Sequence, residues 1–274
     1  MIELPESHTL AKQLNATLIG RTVVAMTVNQ SPHKFAFYHG DPKAYPGRFV
    51  ETTFTGAHAQ GGQVELAFDD QRLLLSDGVN LRYHRDASTL PAKHQLLMKF
   101  DDGCALTITI AMYGMIYGFE VNTFQNPYYL IAQTNPSVYG PGFTLDYFMG
   151  LVERASPKLS LKAFLATEQR IPGLGNGVLQ DILLLARLHP KTKIAVLSPS
   201  QWQTLYTTVV KTLTAMRDQG GRDTEKDLFG HEGGYRTLLS SKTLLEGCPE
   251  CGGDVRKEAY MGGSIYTCPH CQPN

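Results

Sequence analysis

The sequence predicts a mixed α and β chain: an N-terminal β-sandwich entered by one helix, a helical half behind it, and a four-cysteine ribbon at the end. Three observations predict this. Residues 23 to 119 carry short apolar runs of strand character separated by Asp-Asp, Asp-Gly and Pro-bearing turns. From Leu145 the apolar residues recur at helical spacing instead. Cys248-Pro-Glu-Cys251 and Cys268-Pro-His-Cys271 then close the chain, with 16 residues between the pairs.

With 274 residues, two domains are the prior expectation. Leu10, Leu14 and Leu18 lie at helical spacing, and Gly20 ends that segment as a helix C-cap does. Strands are expected at Val23–Val28, Phe49–Phe54, Gln63–Phe68, Arg72–Ser76, Leu96–Phe100 and Ala105–Ile110. The last two flank Asp-Asp-Gly, a hairpin signal. Residues 122–142, rich in Asn, Pro, Tyr and Gly, read as a linker. Helices follow at Leu145–Arg154, Leu161–Ala166, Val178–Leu188 and Pro199–Arg217. The expected units are 1–121, the linker 122–142, a helical domain 143–240 and the cysteine arm 241–274.

The turn before the third of these helices, Arg170-Ile-Pro-Gly-Leu-Gly-Asn-Gly, is the most informative stretch. Gly173, Gly175 and Gly177 permit torsions closed to other residues, and Asn176 tolerates left-handed geometry. A helix entered this way aims unpaired N–H groups and the positive end of its dipole at one point, which suits an anion such as a phosphate. A plain helix–helix turn is the simpler alternative. The spacing fits neither the P-loop nor the dinucleotide fingerprint.

The cysteine spacing matches a zinc ribbon, in which two knuckles bracketing a hairpin bring four thiolates to one tetrahedral ion. Cys248, Cys251, Cys268 and Cys271 are the expected ligands of one Zn²⁺. Four thiolates leave no open position, so the role is structural. Cys104, alone in an apolar run, reads as a small buried hydrophobe. Formal charge is zero, with 25 basic against 25 acidic residues. Residues 1–150 carry 10 basic and 13 acidic, and 151–274 carry 15 and 12, so any polyanion must be met by a local patch. No apolar run reaches membrane-spanning length, and the N-terminus lacks a signal-peptide pattern. The expectation is a soluble, cytosolic protein.

Three features coincide: Glu3-Leu4-Pro5-Glu6 at the start, the Gly-Leu-Gly-Asn turn whose helix ends in His189-Pro190, and the four-cysteine arm. Together they resemble the formamidopyrimidine-DNA glycosylase/endonuclease VIII family of base-excision repair over the whole chain. The resemblance implies a helix–two-turn–helix domain at 143–240, a zinc finger, damaged double-stranded DNA as partner, a monomer, and a bacterial, nucleoid-associated setting. It implies that Glu3 and Glu6 are catalytic acids, and that Asn176, with Arg170 displaced by one position, binds phosphate. It gives His94 a phosphate contact and puts Met112 and Tyr113 at the wedge positions. Their alternatives are a helix-start acid pair, a solvated turn, a surface histidine and two core residues at a strand end.

The chain departs from the family pattern at Ile2, where the family keeps a proline whose amine attacks the sugar. Two family cations fall at Gly62 and at Gly263 or Ser264. The resemblance therefore implies a DNA glycosylase using water as nucleophile, with Glu3 orienting the water or stabilising the sugar cation. Alkylated purines such as 3-methyladenine and 7-methylguanine, which leave readily, are the expected substrates. The alternatives are an oxidised-base glycosylase with lyase activity through the Met1 amine, and a noncatalytic binder of damaged DNA.

Overall fold

The computed structural model describes residues 1–86 and 90–273. Helix α1 (Leu4–Leu18) opens the chain with Glu3 as N-cap and a proline in its first turn. Leu10, Leu14 and Leu18 form its buried face, and Gly20 follows with φ of 81°, as the C-terminal glycine requires.

The strands behind α1 are β1 (Val23–Val28), β2 (Ala36–Tyr38), β3 (Phe54–Gln60), β4 (Gln63–Phe68), β5 (Gln71–His84), β6 (Leu96–Phe100) and β7 (Ala105–Glu120). They form one seven-stranded sheet in the order β1-β6-β7-β5-β4-β3, with β2 parallel on β7. The two long strands β5 and β7 carry both halves of the sheet. Their pairing shifts register between Asp77 and Val79, where one half gives way to the other. Inward residues of both halves, among them Leu66, Leu75, Leu81 and Leu106, share one core.

Two expectations need correction. The run Phe49–Phe54 is not a strand, since helix α2 (Tyr45–Phe49) ends where it was expected to begin. Pro46 suits a first helical turn, and Tyr45 and Phe49, four apart, are both buried, a helical rather than an alternating spacing. The expected short strands at 72–76 and 105–110 are the starts of strands 14 and 16 residues long. Both continue because their second halves bury a face of their own, with Val79, Leu81, Ile116 and Phe119 in it.

Within 122–142 lies helix α3 (Pro127–Thr134), capped by the Asn126 side chain. The helical half contains α4 (Leu145–Arg154), α5 (Leu161–Ala166), α6 (Asn176–Leu185) and α7 (Pro199–Asp218), around a core of Phe148, Phe164, Ile182, Trp202 and Leu205. Ser160 and Ser198 cap α5 and α7. The hairpin β8 (Arg256–Tyr260) and β9 (Gly263–Thr267) belongs to the cysteine arm. No described helix is long and apolar enough to cross a membrane.

The two halves meet at a glycine contact. The Leu4 amide donates to the Gly173 carbonyl at 2.9 Å, and the Ser7 hydroxyl donates to the Gly61 carbonyl at 2.6 Å. Gly173 has φ of 81°, and a Cβ there would lie 2.3 Å from the Gly62 nitrogen. Gly173→Ala is therefore expected to cost about 2–5 kcal/mol, from positive φ and overpacking together. Chemical denaturation measures it, and a loss below about 1 kcal/mol would mean the contact opens without cost.

Candidate active site and metal centre

Glu3 and Glu6 are both buried, at the junction of the two halves. Their environments differ. The Glu3 carboxylate accepts the amides of Gly177 and Val178 at 2.8 Å each, so it occupies the start of α6. The anion-binding end expected for a phosphate is filled by the chain's own carboxylate. The reason is physical: a tethered carboxylate satisfies two orphan N–H groups and the helix dipole without the entropy of recruiting an ion.

Glu6 faces Arg222. The guanidinium reaches its two oxygens from Nε at 3.0 Å and Nη2 at 2.8 Å, and the Arg222 amide adds a third bond at 3.2 Å. Its Nη1 stands 3.5 Å from Glu3. Arg222 is only 2% exposed, so this is a buried charge cluster of two carboxylates and one cation. Burial pushes the Glu3 carboxyl up from its ordinary value, against the opposing pull of Arg222. Glu6 is held below its ordinary value: burial works against this, but Arg222 outweighs it through charge and hydrogen bonds.

The N-terminus is fixed beside them. The Ile2 amide donates to the Asp77 carbonyl at 2.7 Å, and the Ile2 side chain is buried in the sandwich core. The Met1 amine pairs with Glu225. Gly62 lies against the Gly173 backbone, where a Cβ would be 3.0 Å from its Cα, so a side chain there would crowd this contact.

The other expected residues are placed as follows. Asn176 Nδ2 donates to the Ser264 carbonyl at 2.9 Å, across to β9. Arg170 closes the end of α5 through the Ala163 and Thr167 carbonyls and pairs with Glu168. His94 is buried, not a surface histidine; Nδ1 meets the Pro91 carbonyl at 3.0 Å, while Nε2 has no partner among the described residues. Met112 and Tyr113 are not core residues: they are 64% and 37% exposed, on a bulge of β7. Cys104 is buried, as expected.

The sequence reading missed Arg222 and Glu225. Its one available signal was indirect, since two carboxylates expected close together at a packed helix start require a cation. It also missed Asp181 on α6, fully buried, which accepts the amides of Leu238 and Leu239 at 2.9 Å each and so anchors the arm. Burial pushes its carboxyl up to about 6.

The four arm cysteines converge. Their sulfur atoms all lie within 4.8 Å of one another, with 3.8 Å between Cys248 and Cys271 and 3.5 Å between Cys251 and Cys268. Thiolates bonded at about 2.3 Å to a tetrahedral ion stand about 3.8 Å apart, so the set fits a metal ion.

The two acids of the Arg222 cluster make stability depend on pH with opposite signs, since the raised Glu3 carboxyl disfavours the folded state as pH climbs past its unfolded value. Glu6, with its value depressed, contributes stability that is complete above its unfolded value and lost as pH falls through the folded one. Without Arg222 burial raises both carboxyls, and raised carboxyls make stability fall as pH climbs past the unfolded value. Arg222→Met is expected to lose about 3–5 kcal/mol near neutral pH and to regain part of it near pH 5. Urea midpoints at the two values check this. A variant equally stable at both would show that the carboxylates do not depend on the guanidinium.

No family model matches the chain. Curated relatives do match along its whole length. The formamidopyrimidine-DNA glycosylase of Lactobacillus delbrueckii subsp. bulgaricus is 26% identical over 99% of both chains. That of Legionella pneumophila subsp. pneumophila is 25% identical over 100% of this chain and 99% of the relative. That of Cytobacillus firmus is 24% identical over 99% of this chain and 100% of the relative. Among solved structures, Lactococcus lactis Fpg in complex with abasic-site DNA superposes with a TM-score of 0.83 at 23% identity, covering 99% of this chain and all of that one. The same enzyme with an N7-benzyl-Fapy-dG DNA gives 0.82. Over its full length the chain is thus similar in sequence to curated formamidopyrimidine-DNA glycosylases, and it shares their fold.

Proposed function

We propose that the protein is a base-excision DNA glycosylase that removes a damaged base with water as nucleophile. The observation that carries this reading is the buried Glu3, Glu6 and Arg222 cluster at the junction of the two halves, beside an N-terminus whose amine is paired with Glu225. Water adds to the sugar carbon as the bond to the base breaks, the base leaves with the bonding electrons, and the water's proton must pass to a base. Each Glu3 oxygen accepts one backbone amide; the one on Val178 also faces Arg222, which leaves the one on Gly177 as the acceptor for the water's proton. A carboxylate whose proton affinity is raised by burial is a better acceptor than an ordinary one, and its charge stabilises a cationic sugar. Arg222 keeps Glu6 ionised and fixes the geometry of both acids.

Alkylated purines fit this chemistry best. A 3-methyladenine or 7-methylguanine already carries positive charge and departs as a neutral base, so no amine nucleophile is needed. Met112 and Tyr113, exposed together, suit the space left by a flipped base. Asn176, Arg170 and His94 are the remaining candidates for phosphate contacts, and for Asn176 the Ser264 bond has to loosen first.

The arm is proposed to hold one structural Zn²⁺ through Cys248, Cys251, Cys268 and Cys271. The ion ties together two knuckles that share only a small apolar cluster with Leu184 and Leu239. Elemental analysis is expected to find one zinc per chain, and Cys251→Ser to lose it together with DNA affinity while the sandwich stays folded. Full affinity in metal-free protein would remove zinc from the account.

The mechanism is tested by single-turnover base release from methylated duplex DNA. Glu3→Gln is expected to slow release by roughly 10²–10⁴-fold. Borohydride is expected to trap almost no covalent complex, and product strands to stay intact until heated in alkali. Strong trapping mapped to Met1 would favour the lyase reading with an oxidised base as substrate. Binding without release of any base would make the protein a recognition module.

A further inference from the structure

A second surface lies at the bulged end of the sheet, outside the Glu3 cluster. Ala36 and Tyr38 of β2 pack on the sandwich core, so strand alternation turns Phe37 outward; Phe35 lies in the turn just before β2, and both phenylalanines are exposed. Phe37 pairs with Met115 of β7, and the Gly114 amide donates to the Phe35 carbonyl at 3.0 Å. Phe37 therefore stands beside Met115, and the bond from Gly114 holds the turn that carries Phe35 next to the residues before Gly114.

Next to them β7 leaves its partner strand. Gly114 pairs with Asp77 and Ile110 with Val79, so Ala111, Met112 and Tyr113 together oppose only Gly78. That residue has to be glycine, because a Cβ would sit 2.5 Å from the Tyr113 carbonyl oxygen. The three bulged residues are pushed out into solvent beside the two phenylalanines.

The side of the surface that carries Phe35 is basic. Lys34 Nζ lies 5.3 Å from the Phe35 ring centre, and the His33 ring meets Phe35 edge-on. Gln95 joins the Ser31 carbonyl at 2.7 Å to the Ile110 amide at 2.8 Å, which brings the exposed Lys93 to the same end of the sheet. Residues 29–40, 90–100 and 103–119 contain no Asp or Glu. On the bulge side, the charges of two carboxylates, Asp77 and Glu3, bear on Tyr113.

We propose that Phe35 and Phe37 extend the Met112–Tyr113 bulge into a base-stacking platform for DNA, which takes an unpaired nucleobase exposed when the duplex opens. The inference rests on the DNA glycosylase reading above. Every base offers a π-face to an aromatic ring, and Lys34 and Lys93 would meet the flanking phosphates. Aromatic rings among cations with no carboxylate on their own segments are complementary to nucleic acid. A second copy of this chain would bring its own cations to the same face, and four apolar side chains fall well short of the ~800 Å² per partner of a stable protein interface.

The test compares binding of a duplex with a single-base bulge, the extra base being 2-aminopurine, and of the fully paired duplex. Phe35→Ala combined with Phe37→Ala is expected to weaken binding to the bulged duplex by about tenfold or more, within the roughly 5- to 150-fold range of a lost stacking contact. The 2-aminopurine quenching should disappear with it, and Phe35→Trp should keep both. The residues are exposed, so thermal stability should not change. Equal affinity of wild type and double variant for the bulged duplex, or an equal loss on both duplexes, overturns the platform. Wild type that releases base normally in that experiment leaves the glycosylase reading standing, whereas wild type that binds neither duplex removes both. A dimer in sedimentation that the double variant abolishes would make the face an interface between copies and overturn the proposal too.

Discussion

The structure depends on one buried ion cluster. Glu3 and Glu6 lie in the first turn of α1, both almost without solvent, where two carboxylates alone could not both stay charged. Arg222 arrives from the loop after α7 and makes the pair possible, with its planar fork on Glu6 and its free nitrogen toward Glu3. Arginine suits the position because it stays charged when buried and presents two parallel donors, which lysine does not. Such a cluster is costly to build and more costly to break. Its worth lies in fixing where two acids point.

The same acids hold the halves of the molecule together. Glu3 caps α6 through Gly177 and Val178, and one residue earlier on that helix Asn176 reaches the carbonyl of Ser264 in the cysteine arm. Gln180, one turn on, receives the Tyr266 amide, and Lys162 holds the Tyr260 carbonyl at 2.6 Å. A single helix start thus carries a carboxylate from the N-terminal half on one side and the arm hairpin on the other. Moving the arm to admit a ligand has to break bonds at α6, so the acids and the arm are mechanically linked.

Much of this was legible in the sequence, for identifiable reasons. Cysteine spacing is local and chemically specific, and the four sulfurs converge as it required. The helices at 145–154 and 161–166 have capping Thr144 and Ser160 immediately before them. The long strands were cut short because their second halves contain Gly78, Gly114 and Gly118, which read as turns, whereas the backbone needs them for close packing. Arg222 was not legible because nothing local marks a cation that will be buried 216 residues from its partner. His94, Met112 and Tyr113 ended with burial opposite to their simplest readings; for Met112 and Tyr113 the cause is the register shift of β7, not residue type.

Ile2 is where the chain departs most clearly from the pattern of the family it resembles, and the structure gives the departure a physical basis. The Ile2 amide is a hydrogen-bond donor to Asp77, a bond that an internal proline cannot make, and its side chain fills part of the sandwich core. Met1, with its amine on Glu225, lies one residue beyond. Position 2 is here held in a backbone bridge to Asp77. The terminal charge is correspondingly neutralised by a carboxylate of the loop that also supplies Arg222. The first two residues are therefore tied into the fold at both the Ile2 amide and the Met1 amine, beside the acids that Arg222 holds.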